Sequence, residues 1–182
     1  GVRIDPTFGY TSVGGSTQNA NVIIGLTSSS PSDAGGANLD SLSVYGGPSH
    51  VSGGSMAAAI YSGNTFLAQQ SSLTTITNSV GWKVVNMSSY SLSASTGYNL
   101  LTRYQQSVSG FFTYRHDTVS NSGRNEAASL PAFPAWPTPA NLTTVNNRRS
   151  IYATYTAAPS TDVPTVETDP AQDVTDSGAT LH

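Results

Sequence analysis

The spacing of the apolar runs is the feature that most constrains the fold of this chain. Short segments rich in Val, Ile, Leu, Tyr and Phe recur about every ten residues, with clusters of Gly, Ser, Asn and Pro between them. No segment repeats apolar residues at i, i+3, i+4 and i+7 over three turns, as an amphipathic helix would. The sequence therefore predicts an all-β fold, an antiparallel β-sandwich of the jelly-roll type with about eight strands.

Individual runs predict strands and, in places, their buried faces. Residues 55–62 (SMAAAIYS) form a short apolar run between glycines, which favours a buried strand over a helix. In residues 39–45 (LDSLSVY), the alternation marks Leu42 and Val44 as the buried side. The last predicted strand is Ile151–Thr156, where Tyr152 and Tyr155 fall on opposite faces. Further strands are predicted at 22–27, 66–70, 74–77, 82–87, 98–106 and 110–117.

The runs 98–106 and 110–117 are close enough in sequence to predict a β-hairpin. In the second run, Phe112 and Tyr114 share one face, and Phe111 and Arg115 share the other. Burying Phe111 would also bury Arg115, so we favour Phe112 and Tyr114 as the inward pair, although the alternation alone leaves both orientations open. Four prolines predict irregular structure for residues 118–147.

Composition excludes several classes of protein. Only 9% of the residues are charged and the net charge is −3, so the chain cannot supply the dense basic surface of a nucleic-acid-binding protein. It has no cysteine, which excludes a disulfide scaffold or a CxxC metal domain. Its 28 serine and 22 threonine residues suit the wet faces of a β protein at a cell or particle surface. The longest apolar run, 56–61, is too short to cross a membrane, so we expect no membrane insertion.

The charges divide the chain into two parts. Five of the ten carboxylates lie beyond residue 159, in a stretch without Lys or Arg. We therefore expect a β-sandwich domain over residues 1–157 and an acidic linker or tail over residues 158–182. The first part is slightly basic, and the second is strongly acidic.

Several segments carry a resemblance to known modules. They are FGYTSVGGSTQNANVIIGLTSSS, LDSLSVYGG, SMAAAIYSGN, the Gly81-Trp82 step, SLSASTGYNL and SIYATYT. Together they resemble bacterial and phage extracellular jelly-roll β-sandwich modules that are lectin-like or carbohydrate-binding. Residues 163–182 (VPTVETDPAQDVTDSGATLH) resemble the first strands of a fibronectin type III or Ig-like repeat. The resemblance implies a sugar-binding module within a larger protein.

Catalytic motifs are missing from the sequence. It contains no GxSxG nucleophile elbow, no Gly-rich phosphate loop and no HxH or HExxH metal pattern. A glycoside hydrolase needs two carboxylates across a cleft, and only Asp117 and Glu126 flank a suitable loop. We therefore expect no enzymatic activity and no cofactor. A structural calcium ion held by loop carbonyls and an aspartate is the one ligand of this kind that stays open.

Aromatic and planar polar side chains concentrate in residues 104–136. Flat aromatic rings stack on the apolar face of a sugar, and amide, carboxylate or guanidinium groups bond its hydroxyls. Phe133 and Trp136 either plug the end of the sandwich or contact a ligand, whereas Trp82, before KVV, is predicted to be a core aromatic. The candidate ligand-binding residues are Trp136, Phe133, Tyr104, Arg115, Asp117, Arg124, Asn125 and Glu126.

Two functions are consistent with these features. The first is a non-catalytic extracellular module that binds carbohydrate or a cell-surface glycan, or acts in adhesion, within a larger surface or secreted protein. The alternative is a structural subunit of an extracellular filament, virion or surface layer. In that case residues 160–182 would contact a neighbouring domain or another copy of the chain. A shared fold does not separate these functions.

Overall fold

The computed structural model describes residues 5–49, 54–106, 110–126 and 130–158, and these residues confirm the all-β class. They form twelve strands, more than predicted, and the sole helical element among them is one 3-10 turn, Ser32–Ala34. The described part of the chain has no helix with the length and hydropathy of a membrane span. The contacts predicted for residues 160–182 lie outside the described residues. The strands are β1 (Thr7–Gly9), β2 (Ser16–Ala20), β3 (Ile23–Ser29), β4 (Asn38–Pro48), β5 (Gly54–Ser62), β6 (Thr65–Gln69), β7 (Thr74–Ile76), β8 (Gly81–Asn86), β9 (Gly97–Gln106), β10 (Phe112–Glu126), β11 (Thr143–Arg149) and β12 (Ile151–Thr156).

Strand β10 joins the two halves of one large antiparallel sheet. Its first residues pair with β2 and β4, as in Phe112 opposite Ala20 and Pro48. Its last residues pair with β3 and β11, as in Gly123 opposite Leu26 and Val145. We call β1, β12, β4 and β8 the front sheet, and β3, β9, β5, β6 and β7 the rear sheet. Because β10 belongs to both halves, the two sheets can pack face to face in a sandwich-like arrangement.

The main core lies between the front and rear sheets. Leu42 and Val44 of β4 contribute to it, as predicted, and meet rear-sheet residues such as Leu100 of β9. The Phe8 ring bridges the sheets, since its centroid lies 6.1 Å from that of Tyr98 in the rear sheet and 6.1 Å from that of Tyr155 in the front sheet. Burial of this apolar surface is the largest favourable term for such a fold.

A second core covers the outward face of the rear sheet. Alternate residues of β5 enter the main core, while Ala57, Ala59 and Tyr61 point the other way and are also fully buried. Residues 130–142, which we call the covering segment, pack over them with Trp136 at the centre. The run SMAAAIYS is continuously apolar because both of its faces are buried, and its prediction as a buried strand is confirmed.

The structure also settles the predictions for β9, β10 and the proline-rich region. The predicted hairpin is wrong, because both edges of β9 are taken by β3 and β5. The inward orientation of Phe112 and Tyr114 is confirmed, with both side chains fully buried and Phe111 44% exposed. The irregular region predicted at 118–147 is wrong at both ends, since β10 continues to Glu126 and β11 begins at Thr143. The four prolines of this region all lie in the segment between β10 and β11.

Candidate functional site

Three aromatic side chains lie in contact on the outward face of the front sheet. The Trp82 ring of β8 lies 5.3 Å from the Tyr45 ring of β4 and 4.9 Å from the Tyr152 ring of β12, measured between centroids. Both contacts are edge-to-face, with interplanar angles of 82° and 67°. All three side chains are partly exposed. We call these three residues the aromatic row.

Strand alternation places the aromatic row on this face. Val44 points into the main core, so Tyr45 next to it points outward, and Trp82 is its direct partner on β8. Tyr152 lies opposite Ser43 on the other edge of β4, one diagonal step from Trp82. The prediction that Tyr152 and Tyr155 face opposite ways is confirmed. The prediction that Trp82 is a core residue is wrong, because its ring belongs to neither buried cluster.

Neutral polar side chains continue the same face beyond the aromatic row. Val84, 48% exposed, comes next to Trp82 on this face of β8. One step further along, Ser41 of β4 lies opposite Asn86 on one side and Thr154 on the other. Ser41 itself is buried, so the face combines partly exposed rings with the Thr154 hydroxyl and the Asn86 amide. These are the groups that stack on a sugar ring and bond its hydroxyls.

A cation lies beside the other end of the aromatic row. Arg115 alternates with the buried Tyr114 and His116 on β10, so its side chain points outward. The Ser150 amide donates to the Arg115 carbonyl at 3.0 Å, and the Tyr45 amide donates to the Ser150 carbonyl at 2.9 Å. Ser150 thus links the Arg115 backbone to the Tyr45 backbone, and the side chains of Arg115 and Tyr45 point to the same outward face.

Asp117, two residues further on β10, is bound to its own chain. Its carboxylate accepts hydrogen bonds from the Tyr10 hydroxyl and, at 2.8 Å, from the Gly15 amide. The hydrogen bond from Tyr10 is the main cause that holds the pKa of Asp117 below its usual value. The Arg148 guanidinium stacks 4.0 Å from the Tyr10 ring centroid and lies 4.0 Å from the carboxylate. Asp117 therefore fixes the segment after β1 rather than presenting a free carboxylate.

Trp136 and Phe133, the predicted stacking residues, belong to the covering segment. Trp136 is only 7% exposed, and its indole N–H donates to Gln70 Oε1 at 3.1 Å. Phe133 packs against the second core, with the Arg103 guanidinium 5.7 Å from its ring centroid. Both aromatics therefore pack over the outward face of the rear sheet, and not at the end of the sandwich, where the predicted plug would lie. A sugar could stack on Trp136 only if the covering segment were displaced.

The remaining candidate residues do not converge on one surface. Tyr104 and Glu126 are buried, and the Glu126 carboxylate accepts a hydrogen bond from the Asn141 amide. Asn125 accepts a hydrogen bond from the Arg149 guanidinium at 2.7 Å. Arg124 donates at 3.1 and 2.9 Å to carbonyls of the turn next to it. The predicted carboxylate pair of Asp117 and Glu126 is separated along β10, because Asp117 lies at the surface near the middle of the strand and Glu126 is buried at its last residue.

Arg115 is thus the one predicted site residue beside the aromatic row. Sequence reasoning missed Tyr45 and Tyr152 as site residues, although the inward positions of Leu42 and Val44 already imply an outward Tyr45. Within the described ranges, no three His, Asp or Glu side chains lie close enough together to hold a metal ion. The chain matches no protein family model, no curated protein and no solved structure.

Proposed function

We propose that this chain is a non-catalytic extracellular module that binds carbohydrate through the aromatic row. The observation that carries the proposal is the contiguity of Tyr45, Trp82 and Tyr152 on an outward sheet face. Their rings hold each other in place, so a ligand that covers them loses little side-chain entropy on their behalf. Rigid, amphipathic aromatic residues of this kind suit the alternating apolar and polar surface of a sugar chain.

The surroundings of the aromatic row support a neutral or weakly acidic sugar. The outward-facing polar residues next to it on β4, β8 and β12 are Ser43, Ser41, Asn86 and Thr154, which are uncharged. Asn86 and Thr154 reach the surface, whereas Ser41 and Ser43 are buried. Arg115, at the other end, is the nearest outward cation that the strand register places beside the row. Among the described residues, one outward cation next to neutral polar groups matches a polysaccharide better than a polyanion such as nucleic acid, which needs many phosphate contacts.

The proposal also includes a jelly-roll topology and a location at a cell or particle surface. The sandwich-like packing of front and rear sheets is consistent with a jelly-roll topology. The low charge and the many serine and threonine residues support a location at a cell or particle surface, within a larger secreted or surface protein. The proposed module uses no cofactor.

Retention on polysaccharide columns, followed by a broad glycan array, tests this function. Trp82→Ala should lose retention, because it removes the central ring of the aromatic row. Trp136→Phe is the matched control, since it removes a buried indole and leaves the outward face unchanged. Full retention of a folded Trp82→Ala variant would contradict the proposal. So would a wild-type chain that binds nothing on the array.

The alternative, a structural subunit of a filament, virion or surface layer, depends on residues 160–182. Light scattering measures the size of the assembly formed by the full chain and by a chain lacking these residues. A large assembly that dissociates on truncation, without glycan binding, would favour the alternative. A monomer that binds glycan with or without residues 160–182 would favour the binding module.

A further inference from the structure

A group of buried polar atoms without hydrogen-bond partners lies inside the sandwich, away from the aromatic row. All belong to side chains that are more than nine-tenths buried, and they come from the inward faces of β9, β10 and β11. We call them the buried polar cluster. Its atoms are Thr102 Oγ1, Tyr104 Oη, Tyr114 Oη, His116 Nδ1 and Arg149 Nε.

The members of the cluster are close neighbours. His116 and Arg149 are direct cross-strand partners on β10 and β11. Thr102, Tyr104 and Arg149 are all near enough to the Tyr114 hydroxyl to influence its pKa. Burial raises the pKa of Tyr114, so its phenol stays protonated and can donate.

Arg149 brings a positive charge into this group. Its side chain is fully buried, and burial lowers its pKa to about 10, so it is charged at neutral pH. Its hydrogen bonds all go to uncharged oxygens within the described residues. The acceptors are the Gly25 carbonyl at 3.1 Å, the Arg124 carbonyl at 3.3 Å, Gln18 Oε1 at 2.9 Å and Asn125 Oδ1 at 2.7 Å.

The Arg149 guanidinium packs against a glycine, where a larger residue would collide with it. Gly123 on β10 has no side chain, and a Cβ there would lie 2.7 Å from Arg149 Nη1. A buried cation without an opposite charge is costly, as is each buried polar atom without a partner. Native proteins satisfy such groups with ordered water or with ions. The chemistry of the cluster decides between the two.

Donors dominate the cluster. The Arg149 Nε–H can only donate, and the hydroxyls of Thr102 and Tyr114 are free to donate beside it. The strong carbonyl and amide oxygens nearby already accept from the other nitrogens of Arg149. A water molecule could accept hydrogen bonds from these donors, but it would leave the positive charge of Arg149 uncompensated. An anion satisfies both requirements at once.

We propose that the buried polar cluster binds a small monovalent inorganic anion of the size of chloride. The anion would accept hydrogen bonds from Arg149 Nε and from the Tyr114 and Thr102 hydroxyls. It would link side chains of β9, β10 and β11 through hydrogen bonds and thus stabilise the folded state. This site is independent of the proposed carbohydrate binding.

Thermal unfolding in matched salts tests the proposal. The full chain should melt at a higher temperature in sodium chloride than in sodium gluconate of equal ionic strength. The increase should saturate with chloride concentration, as mass action requires for a ligand that binds only the folded state. Equal melting temperatures in the two salts at every concentration would overturn the proposal.

Removal of one hydroxyl locates the effect. Tyr114→Phe keeps the ring in the core and removes one donor to the anion, so half-saturation should need about tenfold more chloride. Tyr155→Phe is the matched control, because its hydroxyl donates to Asp33 at 3.2 Å, away from the cluster. An unchanged chloride response in Tyr114→Phe would overturn the assignment of the site.

A crystal grown in sodium bromide gives a direct readout that does not depend on a variant. Bromide replaces chloride in such sites and scatters anomalously. An anomalous peak bounded by Arg149, Tyr114 and Thr102 is the expected result. Ordered water alone at that position would overturn the proposal.

Discussion

The outward faces of the two sheets carry similar aromatic residues and differ in what covers them. On the rear sheet, Tyr61 lies edge-to-face with Phe66 at 5.5 Å and near Trp136, beneath the covering segment. On the front sheet, Trp82 makes equivalent contacts with Tyr45 and Tyr152 and stays partly exposed. The chain thus buries one aromatic cluster in a second core and leaves the other partly exposed.

The difference shows that aromatic content does not identify a binding surface. The covered face is held by specific bonds, such as that from the Tyr61 hydroxyl to the Pro137 carbonyl at 2.6 Å and that from the Trp136 indole to Gln70. The outward face of the front sheet has rings that contact one another and are partly exposed to solvent. Stability should therefore depend mainly on the covered cluster, and recognition on the open one.

The largest expected effect is on stability and comes from the covered face. Trp136→Ala should lower the free energy of unfolding by about 3–5 kcal/mol, because it leaves a cavity in the second core. Trp82→Ala should cost only about 1–2 kcal/mol, since it removes two edge contacts of a partly exposed ring. Urea unfolding measures both values. Equal losses of unfolding free energy would mean that the two aromatic clusters contribute equally to stability, which would contradict the comparison.

Glycine substitutions on the two sheets should give a smaller contrast. In Gly25→Ala, the new Cβ would overlap the Leu101 side chain and the Leu100 carbonyl of the rear sheet. We expect a loss of about 1–3 kcal/mol from this overpacking. Gly81→Ala on the front sheet is the matched control, because no atom lies within 4 Å of its Cβ position. Its unfolding free energy should stay within about 0.5 kcal/mol of the wild-type value.

The smallest effect is spectroscopic and leaves the fold intact. The chain has two tryptophans, one on each outward face, so Trp82→Phe and Trp136→Phe each leave a single reporter. Acrylamide should quench the fluorescence of Trp82 several times more efficiently than that of Trp136, which is 7% exposed. A soluble sugar that binds the aromatic row should protect Trp82 alone. Similar quenching of both reporters would contradict the description of the covering segment.

Alternation in the sequence was enough to predict much of the sheet. The inward positions of Leu42 and Val44 follow from it. Phe112 and Tyr114 are favoured as the inward pair because the other orientation would bury Arg115, and β5 is predicted from a continuous apolar run instead. In β4, the apolar Leu42 and Val44 share one face, so only one register keeps both of them from water.

The covered and open faces could not be distinguished in the same way. Trp82 and Trp136 are both aromatic residues beside small or apolar neighbours, and their exposure depends on where residues 130–142 return in space. Alternation in WKVVN also pairs Trp82 with Val84 and Lys83 with Val85, so neither face is clearly polar. The buried Arg149 was missed because its neighbours Gln18, Gly25 and Asn125 come from three strands that are distant in sequence.

The pairing of the first and last described strands has a consequence for how this protein is made. In the front sheet, β12 lies between β1 and β4, with Thr7 opposite Thr154 and Leu42 opposite Ala153. During synthesis, β1 therefore cannot pair with β12 until nearly all of the described strands have left the ribosome. Until then, β1 and one edge of β4 remain available to other chains, so the nascent protein is most prone to aggregation just before its last strand arrives.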